Sequence, residues 1–364
     1  MKAMTVAVIG MRGFPGVQGG VEMHSQHIYP LMNDIKVRAY RRRPYLTEQS
    51  KQNFPNVEYV DLPSTRIKGF EAVFHTLLCV LHIAFHRPDA VHVHNMGPGM
   101  FIPLLKLMRL PVVMTYHSVN YEHAKWNGWQ RSLLRWCESL SLRHADRIIF
   151  VNRFQMQKYD EAVRAKSVYI PNGIDAVTRS QSTSFLDAHG IRPGQYLLAV
   201  GRITPEKGFE HLIEAANRID SATQVVIAGG SDHDTAYFEK LKSLDTSHKV
   251  VFTGFTTGED LRQLYSHARL FVLPSLNEGF PLVMLEAMSY GLPMAVSDIT
   301  ATHLVNLPGT DYFQAADTDD MARVIALKLE QAEPSPVSYD LKEFDWREVA
   351  QSTCQQLFLR NDCP

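Results

Sequence analysis

Leu270-Phe271-Val272-Leu273-Pro274, followed closely by Asn277-Glu278-Gly279-Phe280-Pro281-Leu282-Val283-Met284-Leu285-Glu286, is the stretch that decides how this chain is read. The apolar run reads as a strand buried on both faces. Pro281 fits the first turn of a following helix, where its missing N–H costs nothing. Gly279 lets the backbone come close to a ligand, and the free N–H groups of a helix start suit a phosphate. Two carboxylates follow from this layout, Glu278 in the loop and Glu286 one to two turns inside the helix. They suit a sugar nucleotide, with Glu278 at the sugar and Glu286 at a ribose hydroxyl pair. Taken alone, the two read equally well as a loop glutamate and a helix-face glutamate. The setting decides.

The same strand-then-helix rhythm runs along the whole chain and argues for parallel sheets built from βαβ units. In the first half, strands are expected at 5–10, 35–40, 57–62, 90–94, 112–117, 147–152 and 168–171. Helices fill roughly 21–32, 69–86, 98–108, 129–144 and 154–163. A second series begins after a Ser-, Thr- and Asp-rich stretch near 175–190. Its strands fall at 196–201, 224–228, 250–254, 270–274 and 294–297, and its helices near 207–219, 234–244, 258–268, 281–290 and 318–331. The Asn172-Gly173 turn divides the series. The expected domains are 1–172 and 173–343, with a helical segment at 344–364 packing back on the first. Two doubly wound α/β domains bind ligands at the carboxyl ends of their strands, and these are expected to face each other across a cleft.

A chain of 364 residues, 45% hydrophobic and 21% charged, has room for two globular domains. Its net charge of −1 hides an asymmetry. Residues 1–172 hold 22 Lys and Arg against 12 Asp and Glu, while residues 173–364 hold 15 against 26. The basic half points to phosphates or an anionic surface. Its sharpest element is Arg38-Ala39-Tyr40-Arg41-Arg42-Arg43, which reads equally as a solvated strand end. The charge is otherwise spread over ordinary helices, so nucleic acid is not an expected partner. Cys79, Cys137, Cys354 and Cys363 are scattered and suggest neither zinc nor disulfides, hence a reducing compartment. The N-terminus runs straight into a strand without a signal peptide. The most apolar stretch, 70–85, contains Glu71, His75 and His82 and is too short to span a bilayer. A cytoplasmic location is expected.

Three loops fall where such folds bind ligands. Gly10-Met11-Arg12-Gly13-Phe14-Pro15-Gly16-Val17-Gln18-Gly19-Gly20-Val21-Glu22 is glycine-rich and opens a helix, which lets backbone approach phosphates or sugar. It fails the dinucleotide fingerprint, because Arg12 stands where the second glycine belongs, and it lacks the lysine of a P-loop. In Val200-Gly201-Arg202-Ile203-Thr204-Pro205-Glu206-Lys207-Gly208, a strand delivers Arg202 and the next helix opens at Lys207. Two cations there run against the helix dipole, which makes sense if an anion lies between them. The third is Thr115-Tyr116-His117-Ser118, whose histidine is either a structural residue or a catalytic one. His92, His94, His123 and His144 weaken any argument from abundance, and none shows metal spacing. Asp232-His233-Asp234 has the spacing of a metal-binding pair but is expected to cap the helix near 234.

This combination resembles the retaining GT-B glycosyltransferases of the family-four, Glu-x7-Glu type. The matching pieces are Gly19-Gly20-Val21-Glu22, Thr115-Tyr116-His117, Pro171-Asn172-Gly173-Ile174-Asp175, Gly201-Arg202-x4-Lys207-Gly208 and Glu278-Gly279-Phe280-x5-Glu286. They occur in the expected order over nearly the whole chain. The opening Gly10-Met11-Arg12-Gly13-Phe14-Pro15 further resembles a bacterial surface-polysaccharide subgroup that includes rhamnosyltransferases. One departure is Ser118, where the family often has glycine.

The resemblance implies a hexosyl transfer from a nucleotide-diphosphate sugar to a saccharide, with no cofactor and no metal. Arg202 and Lys207 would bind the donor diphosphate with Gly19 and Gly20 near it. Glu278 would meet the donor sugar and Glu286 the ribose, and His117 would lie beside the reacting sugar and the acceptor. Gly279, Phe280, Pro281 and Leu282 would complete the donor site, with the base near Gly254, Phe255 and Leu276. Retention is usually explained by front-face attack, in which a diphosphate oxygen takes the acceptor's proton; a covalent route through Glu278 stays open. A polyprenyl-diphosphate-linked acceptor at an anionic membrane is expected from the basic half. Gly97–Leu110 is short, apolar and carries two cations, and Trp126, Trp129 and Trp136 cluster among Lys125, Arg131 and Arg135. Two other classes fit the same architecture: a sugar-nucleotide 2-epimerase, which needs no acceptor, and a catalytically silent nucleotide-sugar scaffold.

Overall fold

The computed structural model describes residues 3–17, 19–65, 70–117, 128–219, 222–230, 235–330 and 336–358. Its chain divides into two compact units, Met1–Gly173 with Lys342–Pro364, and Ile174–Leu341. In the first unit the strands are β1 (Met4–Ile9), β2 (Ile35–Arg42), β3 (Val57–Leu62), β4 (Ala90–His94), β5 (Val112–Tyr116), β6 (Arg147–Phe150) and β7 (Ser167–Tyr169). They form one seven-stranded sheet in the order β3-β2-β1-β4-β5-β6-β7. The second unit holds β8 (Tyr196–Val200), β9 (Gln224–Ala228), β10 (Val250–Gly254), β11 (Leu270–Leu273), β12 (Met294–Asp298) and β13 (Tyr312–Gln314). Its six strands run β10-β9-β8-β11-β12-β13. All pairings are parallel. Both units are Rossmann-like α/β domains, the fold expected of the GT-B class.

Strand order reverses once in each sheet, between β1 and β4 and between β8 and β11. Loops leaving two strands at such a point splay apart, and the gap at their carboxyl ends is where open α/β sheets bind ligands. The centre of each sheet is mainly apolar, although β4 and β5 also bury His92, His94 and Thr115. Val6, Ala7, Val8, Ile9, Val91, Val113 and Met114 are buried in the first, and Leu198, Ala199, Val226, Phe271 and Val272 in the second. Strands covered on both faces need this near-continuous hydrophobicity.

Each face of the first sheet has its own helices. On one side, helices Phe70–Phe85, Ile102–Leu107 and Gly128–His144 bury Cys79, Val80, Ile83, Ile102, Leu105 and Leu142 in a single cluster. The other side carries helix Gly20–Ile28 and the C-terminal helix Trp346–Leu357, whose Trp346, Val349, Ala350 and Leu357 join the core of that face. Asp345 caps the C-terminal helix by accepting from the Arg347 N–H at 2.7 Å. Gly173 is sterically required, since a Cβ there would lie 2.4 Å from the Trp346 ring.

Several expectations are corrected in detail. The helix expected over 98–108 is two, Met96–Gly99 and Ile102–Leu107, in a segment punctuated by Gly97, Pro98, Gly99 and Pro103. That over 154–163 is also two, because Asn152 and Asp160 each start a new one by accepting backbone N–H groups. Helix Ser184–Ala188 and strand β13 were too short to read from periodicity. The arginine tract is mainly structural: Arg43 is exposed just past the end of β2, but the others are engaged within the fold. Arg41 and Arg42 are buried. Arg41 grips Asp61 at 2.7 and 2.9 Å, donates to the Ser50 carbonyl at 2.7 Å and lies 3.8 Å over the Tyr59 ring. Arg42 faces Glu71 at 3.6 Å, and Arg38 donates to the His86 carbonyl at 2.8 Å. These cations serve the fold.

Candidate active site

In the second unit, the loops leaving β8 and β11 at the point of reversal meet through charged side chains. Lys207 Nζ donates to Glu278 Oε1 at 2.5 Å, and Ser275 Oγ donates to the same oxygen at 2.8 Å. Both members of the ion pair are largely shielded from solvent, with side-chain exposures of 16% and 11%. A pair this sheltered is weakly screened, so each charge fixes the other firmly. Backbone contacts lock the two loops together as well. Leu276 N–H donates to the Glu206 carbonyl at 2.9 Å. Gly208 adopts φ +63°, and a Cβ there would lie 2.2 Å from the Pro274 carbonyl oxygen. Only glycine meets both demands.

This geometry revises the reasoning about the two cations. The anion expected beside Lys207 is supplied by Glu278 of the chain itself, while Arg202 is exposed two residues beyond the end of β8. Lys207 ends a 3-10 turn, Pro205–Lys207, and the α-helix proper is Phe209–Arg218. Pro281 stands at the cap of helix Leu282–Ser289 rather than within its first turn. Glu286 lies one turn inside that helix, and its Oε2 accepts from the Tyr265 hydroxyl at 2.7 Å. Tyr265 is buried and stacks on Tyr290 with ring centroids 5.1 Å apart. Sequence alone did not single out Tyr265, because a tyrosine on an amphipathic helix reads simply as core.

The loops leaving β9 and β10 extend the same edge. A Cβ on Gly229 would lie 1.7 Å from the Gly201 carbonyl oxygen, so these backbones are in direct contact. Gly254 ends β10 at φ +71°, followed by Phe255, which is 59% exposed; Leu276 is 38% exposed. Gly279, Phe280 and Leu282 are partly buried, and Pro281 is buried, in the segment joining Glu278 to its helix.

In the first unit, the loops leaving β1 and β4 meet in the same way. A Cβ on Gly10 would lie 2.2 Å from the His94 carbonyl oxygen. Glu22 folds back from the first turn of its helix to accept from the Arg12 N–H at 2.8 Å. Burial pushes the Glu22 carboxyl above its usual range, against the opposing pull of that hydrogen bond. A Cβ on Gly19 would lie 2.0 Å from the Glu22 carboxylate, whereas nothing lies within 4 Å of that position on Gly20.

His117 follows β5 at the same edge and belongs to a cluster. Its Nε2 lies 2.9 Å from His94 Nδ1, and the His24 ring stands edge-on to it at 5.0 Å. Tyr29 OH lies 2.5 Å from His94 Nε2 and 2.8 Å from His92 Nδ1, and His92 Nε2 lies 2.7 Å from Thr115 Oγ1. His24 Nδ1 donates to Asn172 Oδ1 at 2.9 Å, while its buried Nε2 has no partner among the described residues. Burial holds these rings neutral: His24 is lowered to about 4, His92 to about 3, and His94 and His117 well below the usual value. His92 and His94 counted in the sequence only as abundance. Their spacing of two on a parallel strand beside Thr115 was the available signal, since it puts both on one face.

Among the described residues, no group of three or more His, Cys, Asp or Glu is arranged to hold a metal. Asp232-His233-Asp234, Ser118, His123, Lys125 and Trp126 lie outside the described residues, as do the side chains of Trp129 and Arg131.

Two family models match the two units in turn. Residues 19–177 match Glycosyltransferase Family 4, and residues 185–335 match Glycosyl transferases group 1. The chain is built of two glycosyltransferase domains, of the GT-B type. An uncharacterized glycosyltransferase of Methanocaldococcus jannaschii is 30% identical over 227 residues, 58% of each chain. The sulfoquinovosyl transferase of Arabidopsis thaliana is 27% identical over 292 residues, 74% of this chain and 56% of that protein. The chain thus spans a little over half the length of these two relatives. Among solved structures, sucrose-phosphate synthase from Thermosynechococcus elongatus superposes with a TM-score of 0.81 at 21% identity, covering 97% of this chain and 98% of that one. An Anabaena protein solved with UDP and glucose gives 0.73 at 19% identity, covering 98% and 95%. At these identities the likeness speaks for the fold.

Proposed function

We propose that this glycosyltransferase chain moves a hexosyl unit from a nucleotide-diphosphate sugar to a saccharide acceptor, with retention of anomeric configuration and without a metal. The observation that carries this reading is the Lys207–Glu278–Ser275 contact at the strand reversal of the second unit, in the loop that leads into the helix bearing Glu286. The donor diphosphate lies against Lys207 and Arg202, and its growing charge as the sugar departs is stabilised by these cations. Glu278, already oriented by two partners, meets the sugar. Glu286, oriented by Tyr265, takes the ribose hydroxyls. Phe255 and Leu276 offer apolar surface to the base. A neighbour solved with UDP and glucose supports a donor of this class. Incubating the chain with sugar nucleotides, with and without acceptor extract, tests the reading. Product formed only with acceptor supports transfer, whereas an isomerised sugar nucleotide formed without it means a 2-epimerase. Removing the Glu286 carboxylate (Glu286→Ala) is expected to raise donor KM more than it lowers kcat, because ribose binding is nearly uniform along the reaction. Glu278→Ala should show the reverse pattern, and exchanged patterns would mean exchanged roles.

On the acceptor side we propose a polyprenyl-diphosphate-linked saccharide reached at an anionic membrane face, as in bacterial surface-polysaccharide synthesis. Among the described residues no helix is long and apolar enough to cross a membrane. Support comes from a helical layer of the first unit that exposes apolar side chains beside arginines. Helix Phe70–Phe85 exposes Phe70, Leu77, Leu81 and Phe85 in one stripe, helix Ile102–Leu107 exposes Leu104 and Leu107, and helix Gly128–His144 exposes Leu133 and Trp136. Arg109, Arg135 and Arg143 are exposed beside them. Each basic residue near an anionic surface contributes about 1 kcal/mol and is screened by salt. The chain should therefore float with anionic liposomes at low salt and be released at high salt. Equal failure to float with anionic and neutral liposomes at every salt concentration would contradict membrane contact.

A further inference from the structure

Five groups in the first unit form an unbranched series: Thr115 Oγ1, His92, Tyr29 OH, His94 and His117, with contacts of 2.7, 2.8, 2.5 and 2.9 Å. The parallel register of β4 and β5 builds it, with His94 opposite Thr115, and Tyr29 reaches in from the 3-10 turn Tyr29–Leu31. Burial keeps the histidines neutral and raises the Tyr29 hydroxyl well above its usual value. Each of the five groups therefore carries one exchangeable proton. The series has four links, and each link holds one proton. One proton is left over, and it sits either at one end or on Tyr29 with the hydroxyl turned away from both histidines. Tyr29 is fully buried and its hydroxyl has no third partner among the described residues, so a proton turned away there would be a buried donor without an acceptor.

The two ends differ. Thr115 is fully buried, and its hydroxyl has no partner but His92 among the described residues. His117 is only partly buried, and its Nδ1 has no partner among the described residues. A buried donor without an acceptor is unfavourable, whereas a donor at the open end meets solvent or ligand. The leftover proton belongs at His117. The donors then run one way: Thr115 to His92, His92 Nδ1–H to Tyr29, Tyr29 to His94 Nε2, and His94 Nδ1–H to His117 Nε2.

We infer that Thr115, His92, Tyr29 and His94 are positioning residues that hold His117 in the tautomer protonated on Nδ1, so that it offers a hydrogen-bond donor, not a lone pair, to whatever the loop edge binds. The inference deepens the proposed function, since it specifies what His117 presents to the reacting sugar or acceptor. His117 then acts by holding an oxygen and not as a general base, which agrees with a mechanism in which the departing diphosphate takes the proton. No bond is made or broken in the series itself.

The test is two-bond nitrogen–proton correlation on the full chain labelled with 15N-histidine, with His117 signals assigned by their loss in His117→Gln. The wild-type spectrum should show His117 protonated on Nδ1; protonation on Nε2 would overturn the inference. Tyr29→Phe cuts the series, and His117 should become a mixture of tautomers, with kcat about three- to tenfold lower and donor KM unchanged. Thr115→Ser keeps the hydroxyl and should preserve both tautomer and kcat. A Tyr29→Phe chain that melts like wild type and keeps a single tautomer with full kcat would also overturn the inference. Should that variant not fold, the wild-type spectrum still decides the direction. The spectrum is read without substrate, so a failure of the transferase reading is distinguishable from a failure of this one.

Discussion

Replacing Lys207 with alanine is expected to slow sugar transfer by about 30- to 1,000-fold, equivalent to roughly 2–4 kcal/mol of transition-state stabilisation, the cost of losing one oxyanion-type donor. Two effects combine in this variant. The departing diphosphate loses a fixed positive charge, and Glu278 keeps only the Ser275 hydroxyl of its two partners. Glu278 is then free to turn away from the sugar, so adding Glu278→Ala to the Lys207 variant should cost much less than it does in the wild type. Arg202→Ala should also be slow, and the double Arg202/Lys207 variant should cost less than the sum, since both cations act on one developing charge. Transfer rates at saturating donor give these values. Near-wild-type activity in Lys207→Ala, with the fold intact by thermal melting, would contradict the assignment.

The second large effect is on stability. His24, His75 and His92 are lowered to about 4, 4 and 3 by burial, and His94 and His117 are lowered well below the usual value for the same reason. A histidine kept neutral in the folded chain binds fewer protons than it does unfolded. Stability is therefore lost as pH falls below the ordinary value near 6.5, and the loss continues until the folded value is reached. Each such histidine costs up to about 1.4 kcal/mol per pH unit in that window, so all five set an upper limit of about 7 kcal/mol per unit. Glu22, whose value is raised, works in the opposite sense but is a single group. Against a typical stability of about 5–15 kcal/mol, this should unfold the first unit between roughly pH 6 and 5. Among the described residues, no buried histidine lies in residues 174–341, so the second unit should persist to lower pH. Denaturant titrations at pH 7.5, 6.5 and 5.5 should show two transitions separating as pH falls. A constant midpoint for the first unit from pH 7.5 to 5.5 would contradict the neutral cluster.

The sheets were legible because parallel strands covered on both faces are apolar over most of their length. Runs such as 224–228 and 250–254 match β9 and β10 residue for residue. β13 was not legible, since three residues carry no periodicity and its place is set by pairing with β12. At the candidate site, the glutamates and the two cations stood out through their loop positions. Their partnership did not: Lys207 and Glu278 are 71 residues apart, and only the reversal of strand order brings them together. The histidine series was hidden for a related reason. Tyr29 and His92 are 63 residues apart and meet through the packing of a helical turn on β4. Arg41 and Arg42 misled because sequence reports a charge and not its burial, and their acidic partners come from other elements.

A nucleotide-diphosphate sugar is expected to bind at the carboxyl edge of β8 and β11, held by Glu286 and the Lys207–Glu278 pair. Isothermal titration of UDP-, GDP-, dTDP- and ADP-sugars into the wild type and Glu286→Ala tests it most directly. At least one of them should bind the wild type saturably and the variant at least about tenfold more weakly, through loss of a charge-assisted hydrogen bond. Wild-type protein that binds none of the four, or a variant that binds its donor as tightly as the wild type, would contradict it.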